Sequence, residues 1–219
     1  MTGDTAGEDA SRVVAAFDFD GTITRRDTLL PFLVYACGRA RVAAALATVA
    51  PRLTLALAGR GSRDDAKVAL LERVVAGRDA AEIAAAGRAF ADRLAADTRR
   101  FRADVLERVR WHRDAGHEVV LVSASLTTYL DPLAPRLGFD TVLATTLEVA
   151  SDGRLTGQLV GLNCRGPEKV ARLDAWLAGS ACTLWAYGDS SGDDEMLARA
   201  DRPARVGRTA RSTRRSTER

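Results

Sequence analysis

Apolar residues follow two rhythms along this chain. Val13 to Phe17 is a compact apolar run opened by β-branched residues and too short for a helix, which predicts a buried parallel strand. After Thr24 the spacing turns helical as far as Ala115. Helices are expected over 28–35 and 41–58, and over 62–75 with Gly77 as terminator. A further helix runs to Ala96 from Asp79 and Glu82, a D-x-x-E start resembling a capping box. The last of this group spans 98–115, closed by Gly116 where a left-handed glycine is favoured. Strands and helices then alternate. A strand over 118–122 leads into Ser123-Ala124-Ser125, and Pro132 and Pro135 leave the interior of helix 126–137 doubtful. A strand over 141–145 precedes a hairpin, 147–149 with 154–160, around Asp152-Gly153. A helix over 167–177 has proline in its first turn. A buried strand over 182–187 ends in Gly188-Asp189, followed by a short helix over 191–200 and a strand over 204–206. The pattern predicts a parallel α/β sheet interrupted after its first strand by an all-helical insert.

This order places polar groups at strand ends. Side chains at i and i+2 leave a strand on the same side, so Asp18 and Asp20 converge, and Gly21 lets the backbone turn just beyond them. Open α/β sheets bind ligands at that carboxyl edge. Ser123 and Gly188-Asp189 reach the same edge, and Lys169 opens the helix after Arg165-Gly166-Pro167. Acids, a hydroxyl and a lysine together suit a phosphoryl group with a divalent cation. Hard carboxylate oxygens select Mg2+, while lysine and hydroxyl donors face the equatorial oxygens where transition-state charge resides.

Composition narrows the setting. The 219 residues are 47% hydrophobic and 28% charged, ordinary for a globular chain, with a formal net charge of +3. From Arg202 onward seven arginines face one acid, Glu218, so the tail carries the excess of positive charge. Cys37, Cys164 and Cys182 lack C-x-x-C spacing and suggest neither a disulfide framework nor a zinc site, which fits a reducing cytoplasm. Met1 to Arg12 is polar, without the apolar core of a signal peptide. Residues 29–58 are strongly apolar, but Arg39, Arg41, Arg52, Gly38 and Pro51 interrupt them, so no run reaches the roughly 20 residues that cross a bilayer. Buried helices are the favoured reading, with membrane or lipid-like contact as the alternative.

The motifs resemble those of one family. Phe17-Asp18-Phe19-Asp20-Gly21-Thr22 is similar to the D-x-D-x-T motif of the haloacid dehalogenase superfamily, Ser123 to its second motif and Lys169 to its third. Gly188-Asp189-Ser190-Ser191-Gly192-Asp193 is similar to the fourth, G-D-x-x-x-D. D-x-D alone also occurs in metal-dependent glycosyltransferases; the four in order are far more specific. The helical insert resembles the cap of the phosphoserine phosphatase-like branch, subfamily IB. True phosphoserine phosphatases carry serine at Gly21, glycine at Ala124 and asparagine at Gly192, and the glutamate that helps hold the substrate amine is matched by the shorter Asp27. These departures weaken phosphoserine as substrate without weakening phosphomonoester hydrolysis.

The resemblance implies a Rossmann-like parallel sheet core over 13–25 and 105–207 and a helical cap over 26–104; composition leaves the polar N-terminus, 1–12, and the arginine-rich tail, 208–219, expected to be unstructured. It implies Asp18 as nucleophile and Asp20 as acid and base. Mg2+ would be held by the Asp18 carboxylate, the Asp20 backbone carbonyl and Asp189. Phosphate would be held by Ser123, the Ala124 N–H and Lys169, and Asp193 would orient Lys169 or metal-bound water.

Other readings stay open at this point. Asp194 rivals Asp193, Lys169 could be a solvated helix lysine, Ser125 could cap the next helix, and Asp27 could start a cap helix instead of touching substrate. His112 and His117 lack ligand spacing and are expected at the surface. No G-x-S-x-G, G-x-x-x-x-G-K or G-x-G-x-x-G is present, which argues against a serine hydrolase and a nucleotide cradle. The expected function is Mg2+-dependent hydrolysis of a small phosphorylated metabolite. The alternatives are phosphotransfer to an alcohol, or anion or nucleic-acid binding through the arginine tail, for which no specific nucleic-acid partner is expected.

Overall fold

The computed structural model describes residues 12–207. The expectations for the N-terminal segment and for the arginine tail lie outside these residues. Strand β1 (Val13–Phe17) lies at the centre of a five-stranded parallel sheet. Its neighbours are β2 (Glu118–Leu126) and β6 (Thr183–Gly188), flanked in turn by β3 (Thr141–Thr145) and β7 (Arg202–Arg205), in the order β3-β2-β1-β6-β7. Phe17 pairs with both Leu121 and Tyr187, so Asp18 emerges level with the ends of its two neighbours. The Asp18 N–H donates to the Tyr187 carbonyl at 2.9 Å and holds that position. The fold is an α/β Rossmann-like sheet, and its strand order reverses between β1 and β6, where such sheets bind ligands.

Four helices follow β1 before a fifth, α5 (Ala103–Asp114), leads the chain back to β2: α1 (Leu29–Cys37), α2 (Arg39–Leu57), α3 (Arg63–Val75) and α4 (Ala80–Ala96). Ser62 caps α3 by accepting from the Asp65 N–H, and Asp79 caps α4 by accepting from Ala81 and Glu82. Apolar side chains from these helices join the sheet in one continuous core. Phe32 of α1 and Phe90 of α4 pack on Tyr129 of α6 (Thr127–Leu137), with ring centroids 4.9 and 5.5 Å from it. The hairpin of β4 (Leu147–Val149) and β5 (Leu155–Leu159) turns at the expected Asp152-Gly153 and packs on α3, where Gly157 meets Glu72. No helix among the described residues is long and apolar enough to cross a membrane.

Several expectations need correction. The helix expected over 98–115 is a 3-10 turn (Thr98–Arg100), a break, and α5 (Ala103–Asp114). The break arises because the returning chain pairs with the outgoing one: Thr24 bridges Phe101, and the Arg102 N–H donates to the Ile23 carbonyl at 2.9 Å. Helix α6 is continuous through Pro132 and Pro135. Pro132 has no N–H for the Thr128 carbonyl, and Gly87 of α4 packs directly against that carbonyl. Strand β2 continues to Leu126 through an irregularity after Ser123, so Ser125 lies in the strand and caps no helix. The last helix is a 3-10 turn (Ser191–Asp193) followed by α8 (Asp194–Arg199). β7 begins two residues before the strand expected over 204–206.

His112 is fully buried, not at the surface. Val105, Val109 and His112 form the inward stripe of α5 at helical spacing, so the imidazole packs under the sheet. Its Nε2 meets the Tyr187 hydroxyl at 2.9 Å and its Nδ1 meets His117 Nδ1 at 2.8 Å. Burial, followed by the neighbouring His117, pushes its pKa down to about 4.

Candidate active site

Asp18 leaves the end of β1 and is 6% exposed. Lys169, on α7 (Pro167–Leu177), is 2% exposed and is not a solvated helix lysine. Its Nζ donates to Asp18 Oδ1 at 2.6 Å, to Asp193 Oδ1 at 2.7 Å and to the Val122 carbonyl at 2.7 Å. Burial alone would lower the lysine pKa, but Asp18 and Asp193 outweigh it and the value rises, so Lys169 is charged. Burial pushes Asp18 up to about 6 against the pull of Lys169.

Asp193, not Asp194, faces this centre. Its Oδ2 accepts from the Asp189 and Ser190 N–H groups at 3.2 and 3.0 Å and from the Ser190 hydroxyl at 3.0 Å. Burial opposes ionisation there, yet Lys169 and these donors hold the carboxyl below its ordinary pKa. Asp194 instead pairs with Arg205 at the surface. Asp189 accepts from the Thr22 hydroxyl at 3.1 Å, and burial raises its pKa. Gly21 is required beside it: its φ is +89°, and a Cβ would lie 2.4 Å from Asp189 Oδ2.

Asp20 sits in a separate polar nest. Thr28 donates to its Oδ1 at 2.8 Å and Ser125 to Oδ2 at 2.5 Å, while the Thr24 hydroxyl, 3.3 Å from Oδ1, donates to the closer Arg26 carbonyl at 2.9 Å. Because Thr28 donates to Asp20, its oxygen accepts from the Tyr129 hydroxyl, 2.9 Å away. Burial, then the nearby Asp27 charge, pushes Asp20 up to about 7 despite the Ser125 and Thr28 bonds. It can therefore both give and take a proton near neutral pH.

Asp18, Asp20, Ser123, Ala124, Lys169 and Asp193 line one cleft of about 220 Å3, with Asp27 on its wall. Ser123 is buried and its Oγ accepts from the Ser125 N–H at 3.0 Å. Asp27 is exposed and Oδ1 accepts from Leu29 and Leu30 N–H, so it starts α1 while lining the cleft. Asp189 is not part of the cleft lining; it meets the site through a group of carboxylates. Oxygens of Asp18, Asp189 and Asp193 lie within 4.8 Å of one another.

Sequence reasoning did not assign roles to Lys67, Asn163, Thr24, Thr28 or Tyr129. Lys67 of α3 donates to Asn163 Oδ1 at 2.6 Å and to the Ala124 carbonyl, and the Asn163 amide donates to Asp64 at 2.7 Å. Burial lowers the Lys67 pKa to about 8 against the opposing charges of Asp64 and Asp20. A signal was present: Leu70, Leu71 and Val74 follow Lys67 at helical spacing, so this charge borders the inward stripe of α3.

The family model for haloacid dehalogenase-like hydrolases matches residues 15–198, spanning all four motifs. The chain belongs to this family. One family relative, protein CicA of Caulobacter vibrioides, is 37% identical over 201 residues, covering 92% of this chain and 87% of CicA. A solved structure of a Bordetella pertussis Tohama I protein of unknown function is 27% identical, with a TM-score of 0.73 over 88% of this chain and 89% of that one. A substrate-bound phosphoserine phosphatase shares the fold at 19% identity, with a TM-score of 0.60 over 86% of this chain and 83% of that one.

Proposed function

We propose that this phosphatase of the haloacid dehalogenase type hydrolyses a small phosphomonoester, with Mg2+ as cofactor and an aspartyl phosphate on Asp18 as intermediate. The observation that carries this is the meeting of three carboxylates with a single buried ammonium at the ends of β1 and β6. Asp18, Asp189 and Asp193 against Lys169 leave two negative charges unbalanced in a buried site. A hard divalent cation balances that charge and prefers such oxygen donors, so the residues fit Mg2+. Asp18, Asp189 and the Asp20 backbone carbonyl would hold it. When bound, it offsets the repulsion between the attacking carboxylate and the phosphate.

In the first half-reaction an Asp18 oxygen attacks phosphorus, the ester P–O bond breaks, and Asp20 gives its proton to the leaving oxygen. Its pKa of about 7 suits that donation. In the second, Asp20 takes a proton from water as the water attacks phosphorus, and Asp18 is released with inorganic phosphate. Ser123, the Ala124 N–H and Lys169 hold the phosphoryl oxygens, and Asp193 fixes the Lys169 ammonium. The cleft wall carries both signs, Asp27 and Asp64 with Arg63, Lys67 and Arg165, which favours a small leaving group bearing polar or mixed charge.

Incubation with Mg2+ and a panel of phosphate esters should release phosphate, EDTA should stop it, and Asp18→Asn should abolish it. Failure to turn over any ester, including an activated aryl phosphate, would overturn the proposal.

A further inference from the structure

The two connections between the sheet and the helical insert run side by side and carry four arginines. Thr24 bridges Phe101, and the Arg25 N–H donates to the Arg100 carbonyl at 2.8 Å. Arg25 and Arg26 of the outgoing connection are thereby held beside Arg99 and Arg100 of the returning one. All four are exposed and line a cavity of about 600 Å3, larger than the catalytic cleft. Asp97 is the one carboxylate in its wall, and it is shared between Arg99 at 3.0 Å and Arg100 at 3.4 Å. Among the described residues no carboxylate forms an ion pair with Arg25 or Arg26.

Four guanidinium groups facing one carboxylate give this concavity a surplus of positive charge, and concave walls focus such a field on a ligand. The planar guanidinium fork matches phosphoryl oxygens two at a time. The volume lies within the range of small-molecule pockets. No aromatic ring lines it, and its wall consists of charged and hydroxyl side chains. We propose that this cavity is a second anion site, separate from the catalytic cleft, for a compact polyanion of linked phosphoryl groups such as pyrophosphate. A ligand with several charges meets both pairs of arginines at once and competes with Asp97 for one of them. One wall residue, Thr28, also donates to Asp20 Oδ1, and the hydroxyl of another, Thr24, lies 3.3 Å from that oxygen, so the cavity shares a wall with the catalytic acid.

Calorimetric titration of the full chain with pyrophosphate, in EDTA and at fixed ionic strength, tests this independently of the phosphatase proposal. Saturable binding is expected for the wild type, weakened by about tenfold or more in Arg26→Gln/Arg99→Gln. Ser123→Ala, which strips a phosphate donor from the catalytic cleft, should bind pyrophosphate as the wild type does. Should the double variant lose its melting transition, Arg26→Glu gives the same readout from one exposed side chain. The proposal is overturned by the absence of saturable binding, or by unchanged affinity in the arginine variants. Weakened binding in Ser123→Ala would also overturn it, because the anion would then be in the catalytic cleft.

Discussion

Replacing Lys169 with methionine removes the one cation from a cluster of buried acids. Asp18 and Asp193 lose bonds of 2.6 and 2.7 Å, the Val122 carbonyl loses its 2.7 Å donor, and little water can reach any of them. Breaking a buried ion pair from one side costs about 3–5 kcal/mol. With a urea m-value of about 2.5 kcal/mol/M, 4 kcal/mol lowers the unfolding midpoint by about 1.6 M. The loss should depend on pH. Asp18 already titrates at about 6 with Lys169 present, and its pKa rises further once the ammonium is gone. A carboxyl whose folded pKa is raised binds more protons folded than unfolded, so stability falls as pH rises from its unfolded value through the folded one. Measured in EDTA, Lys169→Met should therefore be far less stable than the wild type at pH 8 and recover part of that deficit at pH 5. A deficit below about 1 kcal/mol at pH 8, or one independent of pH, would refute the charge-balance reasoning.

Other substitutions probe separate parts of the structure. Lys67→Met should raise KM about tenfold or more while leaving kcat within a few-fold, since Lys67 touches the cleft wall and not the reacting atoms; an equal fall in kcat would contradict this. Gly87→Ala improves helix propensity by about 1 kcal/mol, but its Cβ would lie 2.2 Å from the Thr128 carbonyl oxygen. Overpacking of about 1–3 kcal/mol should prevail and lower the urea midpoint, and an unchanged or higher midpoint would show that α4 and α6 are less closely packed than described. His112 has a folded pKa of about 4, below its usual value, so the stability it supports is present above pH 6.5 and is lost as pH falls toward 4. Replacing it with Asn should reduce that acid sensitivity by up to about 1.4 kcal/mol per pH unit, read from denaturation at pH 7 and pH 5.

The sheet edge that carries the candidate site was legible because its parts follow local rules. A short apolar run marks β1, two acids at its end share a side by strand periodicity, and β2 and β6 show the same pattern. Ser62 and Asp79 were likewise readable as helix starts from their own side chains. What escaped the sequence depends on partners distant along the chain. Ser125 looked like a cap because nothing local shows that β2 continues past Ser123 and brings its hydroxyl to Asp20. The break at Phe101 exists because Thr24 pairs with it, and α6 runs through Pro132 although proline leaves the Thr128 carbonyl, against which Gly87 packs, without its helical donor. His112 looked like a surface residue until its place on the inward stripe of α5 met Tyr187. Lys67 reaches the cleft only because α3 packs over β2 and the segment before α7.

In the proposed reaction Asp18 carries the phosphoryl group. Acid quenching of the enzyme during turnover of an aryl phosphate with Mg2+, followed by mass spectrometry of its peptides, tests this directly. The peptide containing Asp18 should gain the mass of one phosphoryl group, which is lost on borohydride treatment, and Asp20→Asn should let the adduct accumulate. Turnover with no modified Asp18, or a phosphoryl group on any other residue, would contradict it.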